Sequence, residues 1–153
     1  MTVELLGTAE PALPSRGFAA LYAQAQRFYE HQMRLLDTHD TEAWADTFTE
    51  DAFLELPFLP QPLRARAGLA RYGRAGAARQ RRAGVPLSHW VGLLDVQPQE
   101  DGALHTRCSA LVYAPACEGG ARVLYVCVME DVLVRAGGEW RIAHRRVTRD
   151  DLL

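Results

Sequence analysis

Asp37 stands where a carboxylate gains nothing from its immediate surroundings. It closes a run in which Phe18, Leu21, Tyr22, Ala25, Tyr29, Gln32, Leu35 and Leu36 recur at three- and four-residue spacing. That spacing is the mostly apolar stripe of an amphipathic helix. The C-terminal end of a helix is its negative pole, so an acid placed there has either a partner or a task. Tyr22 and Tyr29 lie seven residues apart on the same helix face, and Tyr113 and Tyr125 fall in strand-like stretches. Lining an apolar cavity, such phenols would orient a phenolic or polyketide-like substrate; in a core they would be apolar rings with a wet tip. His31 and His39 flank the helix end without metal-ligand spacing, and His105 and His144 are single strand residues. No His-Glu-x-x-His, phosphate-binding loop or dinucleotide fingerprint occurs, so no metal and no cofactor is expected. Every basic residue other than histidine is arginine, which excludes a lysine Schiff base. Cys108, Cys117 and Cys127 are odd in number and form no Cys-x-x-Cys pair; reduced core thiols are expected.

The elements that must position these groups follow from periodicity and turn chemistry. Residues 1–14 read as a loose lead-in, and Ser15 as the N-cap of a helix running to about Asp37. Thr41 can cap a second, short helix, with Trp44 and Phe48 four apart on its inner side. A strand over Ala52–Phe58 ends in the Pro57, Pro60, Pro62 cluster, and an Ala- and Arg-rich helix over Ala65–Arg82 follows. Four long strands are expected at Leu87–Gln97, Ala103–Tyr113, Arg122–Arg135 and Glu139–Thr148, separated by hairpin signals at Gln99-Glu100-Asp101-Gly102 and Ala136-Gly137-Gly138. Strands of ten or more residues must curl in a small domain. The expected fold is therefore α+β: a cone-shaped, strongly curved mixed or antiparallel sheet wrapped by three N-terminal helices, in a single domain over 1–153.

The stretch RVLYVCVMEDVLVR is apolar on both faces, which requires cover on both. Helices supply one cover; a second sheet or a second subunit supplies the other, so a homo-oligomer, dimer or trimer, is expected. Strand alternation puts His105, Arg107, Ser109, Leu111 and Tyr113 on one polar face. Looking into the cone, that face is a substrate wall; looking out, it is surface or interface. Arg71, Arg74, Arg79, Arg81 and Arg82 make either a solvated helix face or a dock for an acidic carrier protein or anionic substrate. A net charge of −2 over 153 residues argues against nucleic acid as a partner. No apolar run suits a membrane span and no export signal is read at the N-terminus, so a cytoplasmic location is expected.

Several pieces carry a family resemblance: Leu36-Asp37 with Trp44 seven residues later, Ser88-His89, and Glu130-Asp131-Val132 followed by Trp140-Arg141-Ile142. Over Phe18–Leu153 the chain resembles the nuclear-transport-factor-2-like fold. More narrowly it resembles its SnoaL-like branch, together with scytalone dehydratase and the β subunits of ring-hydroxylating dioxygenases. The resemblance to scytalone dehydratase implies that Asp37, at the break after the first helix, pairs with His89, which opens a long strand. That family's second active-site histidine falls at Tyr113, which can still donate a proton. The ketosteroid-isomerase base falls instead at Leu56, with Glu55 directed to the opposite face, so that mechanism is not expected. An epoxide-hydrolase-like Asp-Arg-Asp set would have to draw on Arg107 and Asp131.

A histidine whose one nitrogen is fixed by a carboxylate has its other nitrogen available as base or acid. Removing a proton beside a carbonyl and delivering one to a leaving hydroxyl or an oxyanion serves dehydration, isomerisation and cyclisation alike; such groups supply ~10²–10⁴-fold. The expected activity is thus that of a cofactor-independent cyclase, dehydratase or isomerase. Its substrate would be a cyclic, aromatic or polyketide-derived intermediate. Asp37, His89 and Tyr113 are the expected catalytic residues, with Tyr22, Tyr29, Trp44, Phe58, Arg107, Tyr125 and Met129 lining the substrate cavity. The alternative is the non-catalytic β subunit of a dioxygenase, whose partner would be the iron-bearing α subunit.

Overall fold

A computed structural model describes residues 16–115 and 118–150. The expected lead-in over 1–14, the Ser15 cap and Cys117 lie outside the described residues. Helix α1 (Arg16–Asp37) buries Ala25, Tyr29, Gln32 and Met33 along its stripe. It ends in a Schellman turn: the Asp40 N–H reaches the Leu35 carbonyl at 2.9 Å, and the His39 N–H reaches that of Leu36 at 3.1 Å. His39 occupies the left-handed position of that turn, with φ 60°. Its ring hydrogen-bonds Gln80 at 3.1 Å, tying the turn to a later helix. Helix α2 (Thr41–Asp46) follows at once, and its N-cap is Asp40 rather than the expected Thr41. Asp40 Oδ1 accepts the Ala43 N–H, while Thr41 is the first helical residue and buried.

Strand β1 (Phe48–Glu55) begins and ends earlier than the expected Ala52–Phe58. Its start is set by parallel pairing with the last strand, where Phe48 lies opposite Ile142. Its end precedes Pro57, which has no N–H to offer a ladder. A two-residue strand β2 (Leu63–Arg64), not foreseen, pairs back onto β1. Helix α3 (Ala65–Ala83) leads to β3 (Ser88–Pro98), β4 (Leu104–Ala114), β5 (Arg122–Ala136) and β6 (Glu139–Arg149). The β5–β6 hairpin turns on Gly137 and Gly138, both at positive φ, where a side chain would strain the backbone.

One six-stranded sheet results, ordered β2-β1-β6-β5-β4-β3 and antiparallel except where β1 meets β6. Register shifts in β1–β6, β3–β4, β4–β5 and β5–β6 mark bulges. Bulges bend a strand and steepen its twist, which is how strands this long curl around a core. The concave face carries Leu104, Cys108 and Ala110 on β4, Cys127, Met129 and Leu133 on β5, and Ile142 on β6; α1, α2 and α3 close over it with Tyr29, Trp44 and Leu69. His105, Arg107, Ser109, Leu111 and Tyr113 therefore occupy the convex face, since their strand neighbours Thr106, Cys108 and Ala110 are the buried ones. No second sheet covers that convex face among the described residues. None of the described helices is long and apolar enough to cross a membrane.

Candidate functional site

The Schellman turn fixes where α1 stops and so where Asp37 projects. Helix α1 packs along β3, and the first residues of β3 meet its last turn. There Asp37 Oδ1 accepts two hydrogen bonds from one residue: the backbone N–H of His89 at 3.0 Å and the ring Nδ1–H of His89 at 2.7 Å. Two donors on one oxygen offset the unfavourable helix end. The backbone bond fixes the start of β3, and the ring bond fixes the imidazole. Because a carboxylate only accepts, the proton lies on Nδ1; in the neutral ring Nε2 then carries the lone pair. Both side chains are largely but not wholly covered, 28% exposed for Asp37 and 17% for His89. His89 lies directly opposite Val112 on β4, and Val112 opposite Tyr125 on β5. Residues directly opposite one another share a sheet face, and Tyr125 alternates with the buried Cys127 and Met129, so that row belongs to the concave side.

Of the other residues expected at the site, Tyr113 is placed elsewhere. It lies opposite Ser88, one residue out of phase with His89, and faces a shallow convex-side groove of about 370 Å³ with Trp90, Leu111, Ala121 and Val123. Arg107 is on the same convex face, 3.7 Å from Glu130 and exposed. Asp131 is buried on the concave face, so Arg107 and Asp131 do not meet. Phe58 is exposed beyond the end of β1. Tyr22 lies fifteen residues back along α1 from Asp37, about 22 Å away, with its ring 6.4 Å from that of Phe18. Trp44 is buried, edge-on to Phe48 at 5.1 Å and against Gly73; its Nε1 has no hydrogen-bond partner. Met129 is buried on the concave face opposite Cys108, and Tyr125 stands at the same face's rim under the Arg149 guanidinium, 4.4 Å from its ring centroid. Glu55 points outward as expected and hydrogen-bonds His144 at 2.7 Å. On α3, Arg71, Arg74, Arg79, Arg81 and Arg82 are exposed, and Arg74 pairs with Glu42.

Tyr29 belongs to a buried polar network that sequence reasoning missed. Arg145 on β6 grips Asp131 on β5 through two parallel bonds of 2.9 Å, and its Nη2 also donates to Gln32 Oε1 at 2.7 Å. The Tyr29 hydroxyl donates to Asp131 Oδ2 at 2.5 Å, and Thr106 donates to the Tyr29 oxygen at 2.5 Å. Gln32 continues to Thr47 at 2.7 Å. Burial, and next to it the Asp131 charge, push the Tyr29 phenol well above its usual range. The same two influences raise the Cys108 thiol to about 12. Burial opposes the charge on Arg145, but Asp131 more than offsets it, and the guanidinium is held more firmly protonated than usual. Two hints were in the chain: Gln32 interrupts an apolar stripe, and Arg145 shares strand parity with Val147.

A family model described as a SnoaL-like domain matches residues 19–146. Among solved structures, Aln2 from a Streptomyces species is 31% identical, with a TM-score of 0.80 over 92% of this chain and 96% of that one. A Catenulispora acidiphila protein in complex with S-DNPA is 32% identical, with a TM-score of 0.74 over 87% of this chain and 96% of that one. ActVI-ORFA from Streptomyces coelicolor is 31% identical, with a TM-score of 0.75 over 86% of this chain and 99% of that one. A putative scytalone dehydratase and the β subunit of a putative aromatic-ring-hydroxylating dioxygenase, both from Novosphingobium aromaticivorans, share the fold at 15% and 20% identity. No curated protein sequence matches the chain.

Proposed function

The chain belongs to the SnoaL-like domain family, and from that premise we propose that it is a cofactor-independent cyclase, dehydratase or isomerase acting in the cytoplasm on a cyclic polyketide-type intermediate. The observation that carries the reading is the double hold of Asp37 on His89, which leaves Nε2 with no hydrogen-bond partner among the described residues. In this mechanism Nε2 takes a proton from a carbon beside a carbonyl. Asp37 stabilises the imidazolium that forms, and Nε2 returns the proton to a leaving hydroxyl or to the oxyanion. Acid–base assistance of this kind is worth ~10²–10⁴-fold. The likeness to Aln2, ActVI-ORFA and the protein that holds S-DNPA supports a polyketide-type ligand. A non-catalytic dioxygenase subunit would have no use for an oriented imidazole, and the fold likeness alone supports it.

Exchange of carbon-bound hydrogen for deuterium, followed by mass spectrometry on a panel of hydroxylated aromatic ketones, tests the chemistry without knowledge of the product. Asp37→Asn and His89→Ala are each expected to slow exchange at least ~10²-fold while leaving the circular dichroism spectrum unchanged. Exchange at the wild-type rate in both variants would overturn the assignment. The same reading includes self-association. The exposed Trp90 and Val123 on the convex face, beside the Arg107–Glu130–Arg146 charge ladder, suit cover by a second copy.

A further inference from the structure

Gln24, Arg27, Phe28 and His31 recur at three- and four-residue spacing on α1, along the flank beside its buried stripe. That flank is one wall of a three-sided groove of about 900 Å³. The end of α2 makes the second wall with Ala43, Asp46 and Thr47, and the β5–β6 hairpin makes the third with Arg135 and residues 138–141. The volume is that of a small-molecule cleft. The hairpin wall is set in advance by α1. Gln24 Oε1 accepts the Trp140 indole N–H at 2.8 Å and the Arg135 guanidinium at 3.0 Å, and Arg135 lies over the Trp140 ring, 4.3 Å from its centroid. One amide thus holds a flat stack of cation and aromatic ring. The charges in the groove are not balanced. Both of its carboxylates already face guanidiniums, Glu139 that of Arg141 at 3.6 Å and Asp46 that of Arg66 at 4.0 Å. Arg27 and His31, one helical turn apart, are exposed and have no hydrogen-bond or ion-pair partner among the described residues.

The geometry points to a second binding site in this groove, for a small aromatic carboxylate. The carboxylate is taken by Arg27, whose planar fork of donors matches its two oxygens, with the His31 ring beside it. The ring system of the ligand lies between Phe28 and Trp140, against the stack that Gln24 holds. Arg27 stands ten residues before Asp37 on α1, about 15 Å along the axis. The groove is therefore separate from the Asp37–His89 pair and stands or falls apart from the role proposed for it. No bond is made or broken here; the site binds.

Titration of the nitrogen-15-labelled full chain with 2-naphthoate, followed on the indole N–H resonances of its three tryptophans, tests the site. The resonance missing from Trp140→Phe identifies the reporter. It is expected to move saturably while that of the buried Trp44 stays in place. The uncharged 2-naphthamide is expected to bind at least ~10-fold more weakly, because it forgoes the charge-assisted bonds. Arg27→Gln touches no other described group and is expected to weaken 2-naphthoate about 3- to 10-fold, whereas His89→Ala is expected to bind it as the wild type does. A stationary Trp140 resonance in the wild type, equal affinity for acid and amide, wild-type affinity in Arg27→Gln, or loss of the shift in His89→Ala would each overturn the proposal. So would a Trp140 shift caused by a hexaglutamate peptide and not by 2-naphthoate, which would make the groove a seat for an acidic chain.

Discussion

At the scale of single residues, two acids meet opposite circumstances. Asp37 is reached by solvent and holds a histidine that can gain or lose a proton; Asp131 is sealed and holds an arginine that cannot. The first pair suits turnover and the second suits structure. Removing Arg145 alone strands a buried carboxylate, which costs about 3–5 kcal/mol. Arg145→Met should therefore unfold at markedly lower urea than the wild type, whereas Asp131→Leu/Arg145→Met should recover part of the loss. A double variant as unstable as the two single losses summed would show the charges to be uncoupled. Cys108 gives a pH signature. Its thiol is raised from an ordinary 9.0 to about 12 in the folded chain, so between those values the unfolded state releases a proton that the folded state keeps. Stability contributed by the neutral thiol is complete below pH 9 and falls as pH rises toward 12, by up to about 1.4 kcal/mol per unit. Urea midpoints measured across that range should flatten in Cys108→Ala; an unchanged slope would count against the burial argument.

At the scale of elements, the helices and the four long strands were legible because turn chemistry and apolar periodicity agree at each break. The boundaries that moved did so for tertiary reasons: β1 starts where β6 offers it a partner, and Asp40 displaces Thr41 as cap because the Schellman turn has already placed it there. The pairing of Asp37 with His89 came from resemblance, since nothing local in either stretch reports a residue fifty-two positions away. Strand parity explains the rest. Tyr113 and His89 are on opposite faces by a single step of register, which a sequence read without bulges does not resolve. Two glycines on α3 give an element-scale test. Gly68→Ala meets open space and should stabilise by about 0.5–1 kcal/mol through helix propensity. Gly73→Ala places a Cβ 3.3 Å from the Trp44 ring and should lose most of that gain. Thermal melts of the two variants check both, and equal gains would mean that Trp44 yields freely.

At the scale of the molecule, the sheet divides two tasks between its faces. The concave side keeps the polar network and the Asp37–His89 pair. The convex side presents exposed Trp90 and Val123 at one end and paired charges along the middle. Light scattering on gel-filtered protein is expected to give a multiple of the protomer mass. Trp90→Arg should reduce it to one copy while leaving the spectrum of the fold intact; a wild type that runs as a single copy would dismiss the assembly.

One oxygen of Asp37 clasps both the main chain and the ring of the same histidine. The last turn of α1 therefore holds strand and side chain on a single latch. Whatever loosens its grip on the start of β3 releases the imidazole in the same movement, so the proposed base keeps its aim only while that turn is seated.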